Sequence, residues 1–382
     1  MKRRPFNEDH DAFRESVRAF VEKEVQPHYR QWAERGLVDR AVYKKATQMG
    51  LVGLQLPEEF GGPGEQRYSF NAAFIEETIL GGANLGSLRV HSEVCLPYLL
   101  HYANAEQRQR WFPQIVQGDL ILALAMTEPG TGSDVAGVAT SARLEGDHYV
   151  LNGAKTFITG GANADRVLVV CRTSKQSDNR RAGLTILVVD TKSEGFVVGR
   201  KLDKIGLKAQ DTVELSFNDV MVPRTDLLGK EGEAFSYLAH NLAQERLTIA
   251  VAGQASAVRA LQLAVDYARE RKVFGSPLAG YQNTKFVLAE CATDIAAGQA
   301  LVDQAIEALD TGELTPGDAA RVKLFVSEMQ QRVVDKCLQV HGGYGYVTEY
   351  EIAGLYADAR VTRIFGGTSE VMKGIIAKSI GL

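Results

Sequence analysis

The chain has 382 residues, 45% hydrophobic and 24% charged, with 43 Lys and Arg against 47 Asp and Glu for a formal net charge of −4. That composition excludes an intrinsically disordered chain, and its charge balance gives no electrostatic footing for nucleic acid or a polybasic membrane anchor. The length exceeds what one core usually holds, so two or three domains are expected.

No uninterrupted apolar stretch approaches the roughly 20 residues of a bilayer span, so no stable membrane insertion is expected. Acidic and polar residues follow the basic start, so no secretory signal is read there. Cys95, Cys171, Cys291 and Cys337 stand far apart with no CxxC pair, which points away from zinc and disulfides and toward a reducing, bacterial-type cytoplasm. A processed mitochondrial form is the alternative.

From Asn7 to about residue 123 the pattern is helical. Asn7 caps a helix carrying Phe13, Val17, Phe20, Val21 and Val25 at helical spacing, with Pro27 expected just past its end. Helices follow over Tyr68–Leu80 and Ser92–Tyr102. Near Ile121 the pattern changes. Asn152-Gly153, between two runs rich in β-formers, predicts a hairpin turn, and strands are expected over 166–173, 184–191 and 213–222 with a polar break over 174–181. Beyond Gly232 amphipathic helices run over 233–271, 283–309 and 316–340, and a last one starts near Ser369. The architecture is α, then β, then α: an N-terminal helical domain (1–123), a middle β-sandwich or barrel (124–230) and a C-terminal four-helix bundle (231–382).

Five segments carry possible chemistry. Thr127–Asp134 is a Gly-rich stretch whose backbone can approach a flat polar ligand, or simply a loop between domains; it is neither a P-loop nor a dinucleotide fingerprint. In Lys155–Gly161, Phe157 and Thr159 share a strand face and could stack on and hydrogen-bond an aromatic ring system, or pack as ordinary core residues. Arg271 near Phe274 and Gln282 could clamp a pyrophosphate or complement a helix C-terminus. Gln339–Gly345 ends a helix with Gly342 as its cap, and His341 there reads as structural rather than catalytic. Gly366-Gly367-Thr368-Ser369-Glu370 is the fifth.

In this order and spacing, the five segments resemble the acyl-CoA dehydrogenase family across essentially the whole chain. The resemblance implies FAD, an acyl-CoA thioester substrate, an electron-transfer flavoprotein as electron acceptor, and a homotetramer in which each FAD touches two subunits. By the same resemblance Leu124, Met126, Thr127, Gly132, Ser133, Phe157 and Thr159 line the flavin. Ser133 also lies by the pantetheine arm. Arg271, Phe274, Gln282, Gln339, Gly342 and Gly343 reach the adenine dinucleotide part, largely of a neighbouring subunit, and Thr368 and Glu370 flank the pyrophosphate. Gln244, Arg246 and Gly367 fall in the substrate region.

The implied reaction is α,β-dehydrogenation of a saturated acyl-CoA, which needs a desolvated carboxylate to remove the α-proton. Most family members place that Glu immediately before the C-terminal Gly-Thr, where this chain has Gly366. Ala243-Gln244-Glu245-Arg246-Leu247 resembles instead the isovaleryl- and long-chain subgroups, whose base precedes the Arg on the long helix. Glu245 is therefore the expected catalytic base, with Glu349 and Glu370 as weaker rivals and a helix-surface Glu-Arg pair as the plain alternative. The competing functions are an oxygen-using acyl-CoA oxidase and a non-catalytic FAD- or acyl-CoA-binding assembly protein. His91, Glu93 and Tyr98 are the polar candidates for the pocket floor.

Overall fold

The computed structural model describes residues 3–174 and 179–382, so 175–178 of the expected polar break lie outside the described residues. The N-terminal part is built from α1 (Glu8–Phe20), α2 (Gln26–Arg35), α3 (Arg40–Gln48), α4 (Tyr68–Leu80), α5 (Gly86–Arg89), α6 (Leu96–Tyr102) and α7 (Ala105–Val116). Asn7 caps α1 as expected, accepting from the His10 N–H in a reciprocal capping box. Pro27 does not end this helix. A π turn over Val21–Val25 joins α1 to α2, and Pro27 falls in the first turn of α2, where a missing N–H costs little.

A second π turn, Val90–Cys95, joins α5 to α6, so the chain is helical from Gly86 to Tyr102. Ion pairs centred on the buried Glu76 and Glu77 tie the N-terminal helices together and, through Arg3, to the C-terminal ones. Arg3 reaches Glu76 on α4 (2.7 Å) and Asp303 (2.6 Å), Arg14 reaches Glu76 and Glu77, and Arg18 reaches Glu77.

The middle part is an eight-stranded, largely antiparallel sheet: β1 (Leu122–Ala125), β2 (Ser141–Glu145), β3 (His148–Thr159), β4 (Arg166–Arg172), β5 (Leu184–Asp190), β6 (Phe196–Lys201), β7 (Thr212–Pro223) and β8 (Leu227–Leu228). Its order is β6-β7-β3-β2-β4-β5-β8, with β1 parallel to β4. β4 is buried on both faces. Val167, Val169 and Cys171 pack inside the sheet, whereas Leu168 and Val170 pack against Leu96 and Leu99 of α6 and Trp111 and Phe112 of α7.

Asn152-Gly153 is not a hairpin turn. β3 runs straight through it, pairing with β7 on both sides of a register shift. Gly153 is there because Thr140 crosses it: a Cβ at φ 146° would lie 2.6 Å from Thr140 Oγ1 and 2.8 Å from its Cα. The turn lies instead at Gly146-Asp147, between the paired Glu145 and His148.

The C-terminal part comprises α8 (Ala234–Glu270), α9 (Gln282–Asp310), α10 (Pro316–His341), α11 (Glu351–Ala359) and α12 (Ser369–Ser379), with a short hairpin, β9 (Lys272–Val273) and β10 (Ser276–Pro277), after α8. By length and mean composition α8 is apolar enough to cross a membrane, although Gln254, Ser256 and other polar residues interrupt it. The reason is packing, because its Leu247, Ala250, Val251, Ala257, Ala260 and Ala264 form one cluster with α4, α9 and α10. All four cysteines are free and buried.

Candidate active site

Glu245 lies in the first third of α8 on the face turned to α6. Its side chain is buried, with 8% of the residue exposed, and its Oε1 accepts a 2.9 Å hydrogen bond from the Tyr98 hydroxyl. Burial pushes the carboxyl up to about 7, against the opposing pull of the Tyr98 hydrogen bond and the positive charge of Arg246. A carboxyl poised there can hold or release a proton at neutral pH. Gln244, one residue earlier, donates to the Glu93 carbonyl at 3.2 Å.

Arg246 turns the other way and donates through Nε to the carbonyl of Gly366 (3.3 Å). The next carbonyl, Gly367, accepts a 2.7 Å bond from Nζ of Lys323 on α10, a fully buried lysine that burial depresses to about 8. Two cations thus hold two successive carbonyls of the turn entering α12. Gly366 and Gly367 both have positive φ (64° and 98°), which glycine alone adopts at little cost. A Cβ on Gly366 would collide with Cδ1 of Ile249, one helical turn beyond Glu245. The space a side chain at 366 would need belongs to Ile249. Gln244, Glu245, Arg246 and Gly367 are thereby gathered at one junction of α6, α8 and α12, whereas Glu349 and Glu370 are both exposed and lack the desolvation a base requires.

The segments expected at the flavin come together on the middle sheet. β1 carries Leu124 and runs into Met126 and Thr127, whose carbonyl accepts from the Thr156 N–H on β3 (2.9 Å). Behind them the buried Lys155 donates to the Met126 carbonyl and to Glu128 (2.9 Å each), and Glu128 also accepts from the Ala139 and Thr140 N–H groups. Phe157 sits at φ 59° in a register shift of β3, with its ring 65% exposed, and Thr159 accepts from Gln210 (3.2 Å). Gly132 and Ser133 are exposed.

A separate groove of about 460 Å³ lies at the end of α10, lined by Tyr267, Arg271, His341, Gly342, Gly343 and Tyr344 among others. Gly342 caps α10 at φ 58°, and a Cβ on it or on Gly343 would meet nothing. His341 is structural here: it bonds the Cys337 carbonyl and stacks on Tyr267. Phe274 is 99% exposed, and Gln282 and Gln339 are exposed near the same end. Thr368 caps α12 through the Val371 N–H.

These residues fit an FAD. An outward-facing aromatic on a left-handed bulge, with the Thr159 hydroxyl two residues on, suits a flavin ring, and an open Gly-Gly cradle beside Arg271 suits a pyrophosphate. Of the pocket-floor candidates, only Glu93 faces no fixed catalytic or backbone partner. Its Oε2 accepts from Asn71 (2.6 Å) and its Oε1 is unpaired, whereas His91 takes the Leu122 N–H and Tyr98 binds Glu245. Sequence reasoning missed Lys323, Ile249 and the Glu128–Lys155 pair. A lysine inside the apolar stripe of α10, beside Ala319, Ala320, Val322 and Val326, was the one available signal.

Comparison with known proteins agrees with this geometry. Family models for the acyl-CoA dehydrogenase N-terminal, middle and C-terminal domains match residues 7–119, 123–220 and 232–381. The mitochondrial long-chain specific acyl-CoA dehydrogenase of Sus scrofa is 42% identical over 379 residues, covering 99% of this chain and 88% of that protein. The crystal structure of an acyl-CoA dehydrogenase from Geobacillus kaustophilus matches with a TM-score of 0.98 at 42% identity over the full length of both chains. A glutaryl-CoA dehydrogenase from Mycobacterium smegmatis, solved in complex with FADH2, matches at 0.91 and 26% identity, covering 99% of this chain and 96% of that one. The chain therefore belongs to the acyl-CoA dehydrogenase family, FAD-dependent flavoprotein oxidoreductases that dehydrogenate acyl-CoA.

Proposed function

We propose that Glu245 is the base of this enzyme, removing the α-proton of a saturated acyl-CoA while the β-hydride leaves for the flavin, to give a trans-2-enoyl-CoA. The observation that carries the reading is a buried carboxyl raised to about 7 on the helix face where Gly366 offers no side chain. Bound FAD supplies the hydride acceptor. Arg246 and Lys323 hold the Gly366-Gly367 turn, so the substrate meets a fixed backbone rather than a mobile loop. Glu128 and Lys155 hold Met126 and Thr127 at the flavin's edge.

The same reading assigns Leu124, Met126, Thr127, Gly132, Ser133, Phe157, Thr159, Thr368 and Glu370 to the flavin of one subunit. It assigns Arg271, Phe274, Gln282, Gln339, Gly342 and Gly343 to that of a neighbour in a homotetramer. It divides the chain near 123 and 230, passes electrons to an electron-transfer flavoprotein, and puts the enzyme in fatty-acid β-oxidation in a bacterial cytoplasm. The near-complete exposure of Phe274 supports a contact with a second copy.

The test is anaerobic titration of the FAD-loaded protein with saturated acyl-CoAs of graded length, following flavin bleaching. Bleaching by one length class is expected. Glu245→Gln should keep its FAD and lose reduction by at least about a hundredfold; near-normal bleaching by that variant would remove Glu245 from the role.

A further inference from the structure

We infer that Tyr98 is the positioning residue of the base: its hydroxyl fixes Oε1 of Glu245 so that Oε2 is the oxygen presented to the α-carbon. The inference deepens the proposed function and rests on it.

Tyr98 is the sole hydrogen-bond donor to this carboxylate among the described residues. Its ring is fully buried, so the hydroxyl has no water to return to. Three features aim it. Each residue added to a helix rotates the remainder of that helix by about 100°, so the π turn at Val90–Cys95 sets the bearing of every side chain on α6. Pro97 has no N–H to give to the Glu93 carbonyl one turn back, and Gln244 takes that carbonyl instead. Neighbouring residues of α8 therefore dock on neighbouring turns of one helix, Gln244 by its amide and Glu245 by its carboxylate. Outward from there, Asn241 meets His101 (3.1 Å) and Tyr237 stacks on Tyr102 (3.9 Å between centroids). Positions 237, 241 and 245 thus form one stripe of α8 that is locked to α6 along its length.

In the chemical step the α C–H bond breaks, its proton bonds to Oε2 and its electron pair becomes part of the new C=C bond. The hydride from the β-carbon goes to the flavin. Oε1 accepts from Tyr98 both before and after the transfer, so the base does not have to reorient.

A donor aimed at a carboxylate favours its charged form. Tyr98→Phe should move the acid limb of the pH profile for flavin reduction to higher pH by about one to two units, and lower the rate roughly tenfold per unit below it. Infrared titration of the Glu245 carboxyl stretch in substrate-free protein, with Glu245→Gln subtracted, should show the same shift. A merely structural tyrosine would change thermal stability and FAD retention but move neither midpoint.

If Tyr98→Phe does not fold, 3-fluorotyrosine at position 98 keeps the shape and strengthens the donor, and both midpoints should move down. Unmoved midpoints in the folded variants overturn the inference. Glu245→Gln that still bleaches the flavin overturns the base assignment and this inference with it; a silent Glu245→Gln beside an unshifted Tyr98→Phe overturns the positioning role alone.

Discussion

Restoring a side chain at position 366 probes the junction most directly. Gly366 sits at φ 64°, where any L-residue costs about 1 kcal/mol, and a Cβ there would come closer than 3.0 Å to Ile249 Cδ1. That atom is the free end of a side chain, so relief by an off-rotamer shift costs about another 1 kcal/mol. Gly366→Ala should therefore destabilise the protein by about 2 kcal/mol, which for a C-terminal unit of this size is a drop of roughly 4–8 °C in Tm. Ile249→Ala in the same background should return the steric half and leave the backbone half. The assay is a cycle of four melting curves (wild type, both single variants and the double variant) at one scan rate and fixed FAD concentration. A neutral Gly366→Ala, or a double variant whose loss equals the sum of the singles, would refute the claim that Ile249 holds the space a side chain at 366 needs.

Two further outcomes follow from buried charge. Burial holds the Glu93 carboxyl up at about 7. Between its unfolded value near 4.5 and 7, the native state keeps a proton that the unfolded chain releases, so stability falls as pH rises through that window, by at most about 3 kcal/mol. Glu93→Gln should remove that share of the fall between pH 4 and 8, measured by denaturant unfolding; an unchanged slope would contradict it. Lys155→Met should cost about 3–5 kcal/mol, because Glu128 stays buried with its countercharge gone, and should weaken FAD retention on gel filtration. Unchanged retention would detach this pair from the flavin segment.

The elements most legible in the sequence are those whose own periodicity decides them. The ends of α4, α8, α9 and α10 lie within a residue or so of the expected bounds: α8, α9 and α10 each bury a stripe long enough to read without knowing its partner, and α4 is buried all round. Asn152-Gly153 misled because the same dipeptide serves a tight turn and a close crossing, and only the approach of Thr140, just ahead of β2, decides between them. Pro27 misled because a π turn upstream let the helix restart around it.

Within the site, Glu245 was legible as a residue and Tyr98 as a pocket-floor candidate, but the hydrogen bond between them was not. Its donor, Tyr98, lies 147 positions away, and the bulge that aims the ring leaves no mark in a hydrophobic pattern. Lys323 falls within the apolar stripe of α10, and the Gly367 carbonyl it serves comes from 44 residues on.

The ion cluster at the seam between the helical parts also sets how the protein comes apart. Three guanidinium groups, Arg3, Arg14 and Arg18, face three carboxylates, Glu76, Glu77 and Asp303, so the cluster is neutral as a set, with Glu76, Glu77 and Arg14 buried at its centre and Arg18 open to solvent and salt at its edge. Burial alone would raise Glu76, yet Arg3 and Arg14 hold it below the ordinary glutamate value. Its contribution is therefore complete above about pH 4.5 and is lost only as acid protonates it. Because Arg3 is shared between Glu76 and Asp303, and Arg14 between Glu76 and Glu77, protonating any one carboxylate weakens the pairs beside it, and loss of Glu77 also leaves Arg18 without its carboxylate. Acid thus meets one cooperative block that joins α1 and α4 to α9, and those helices part together rather than fraying in turn.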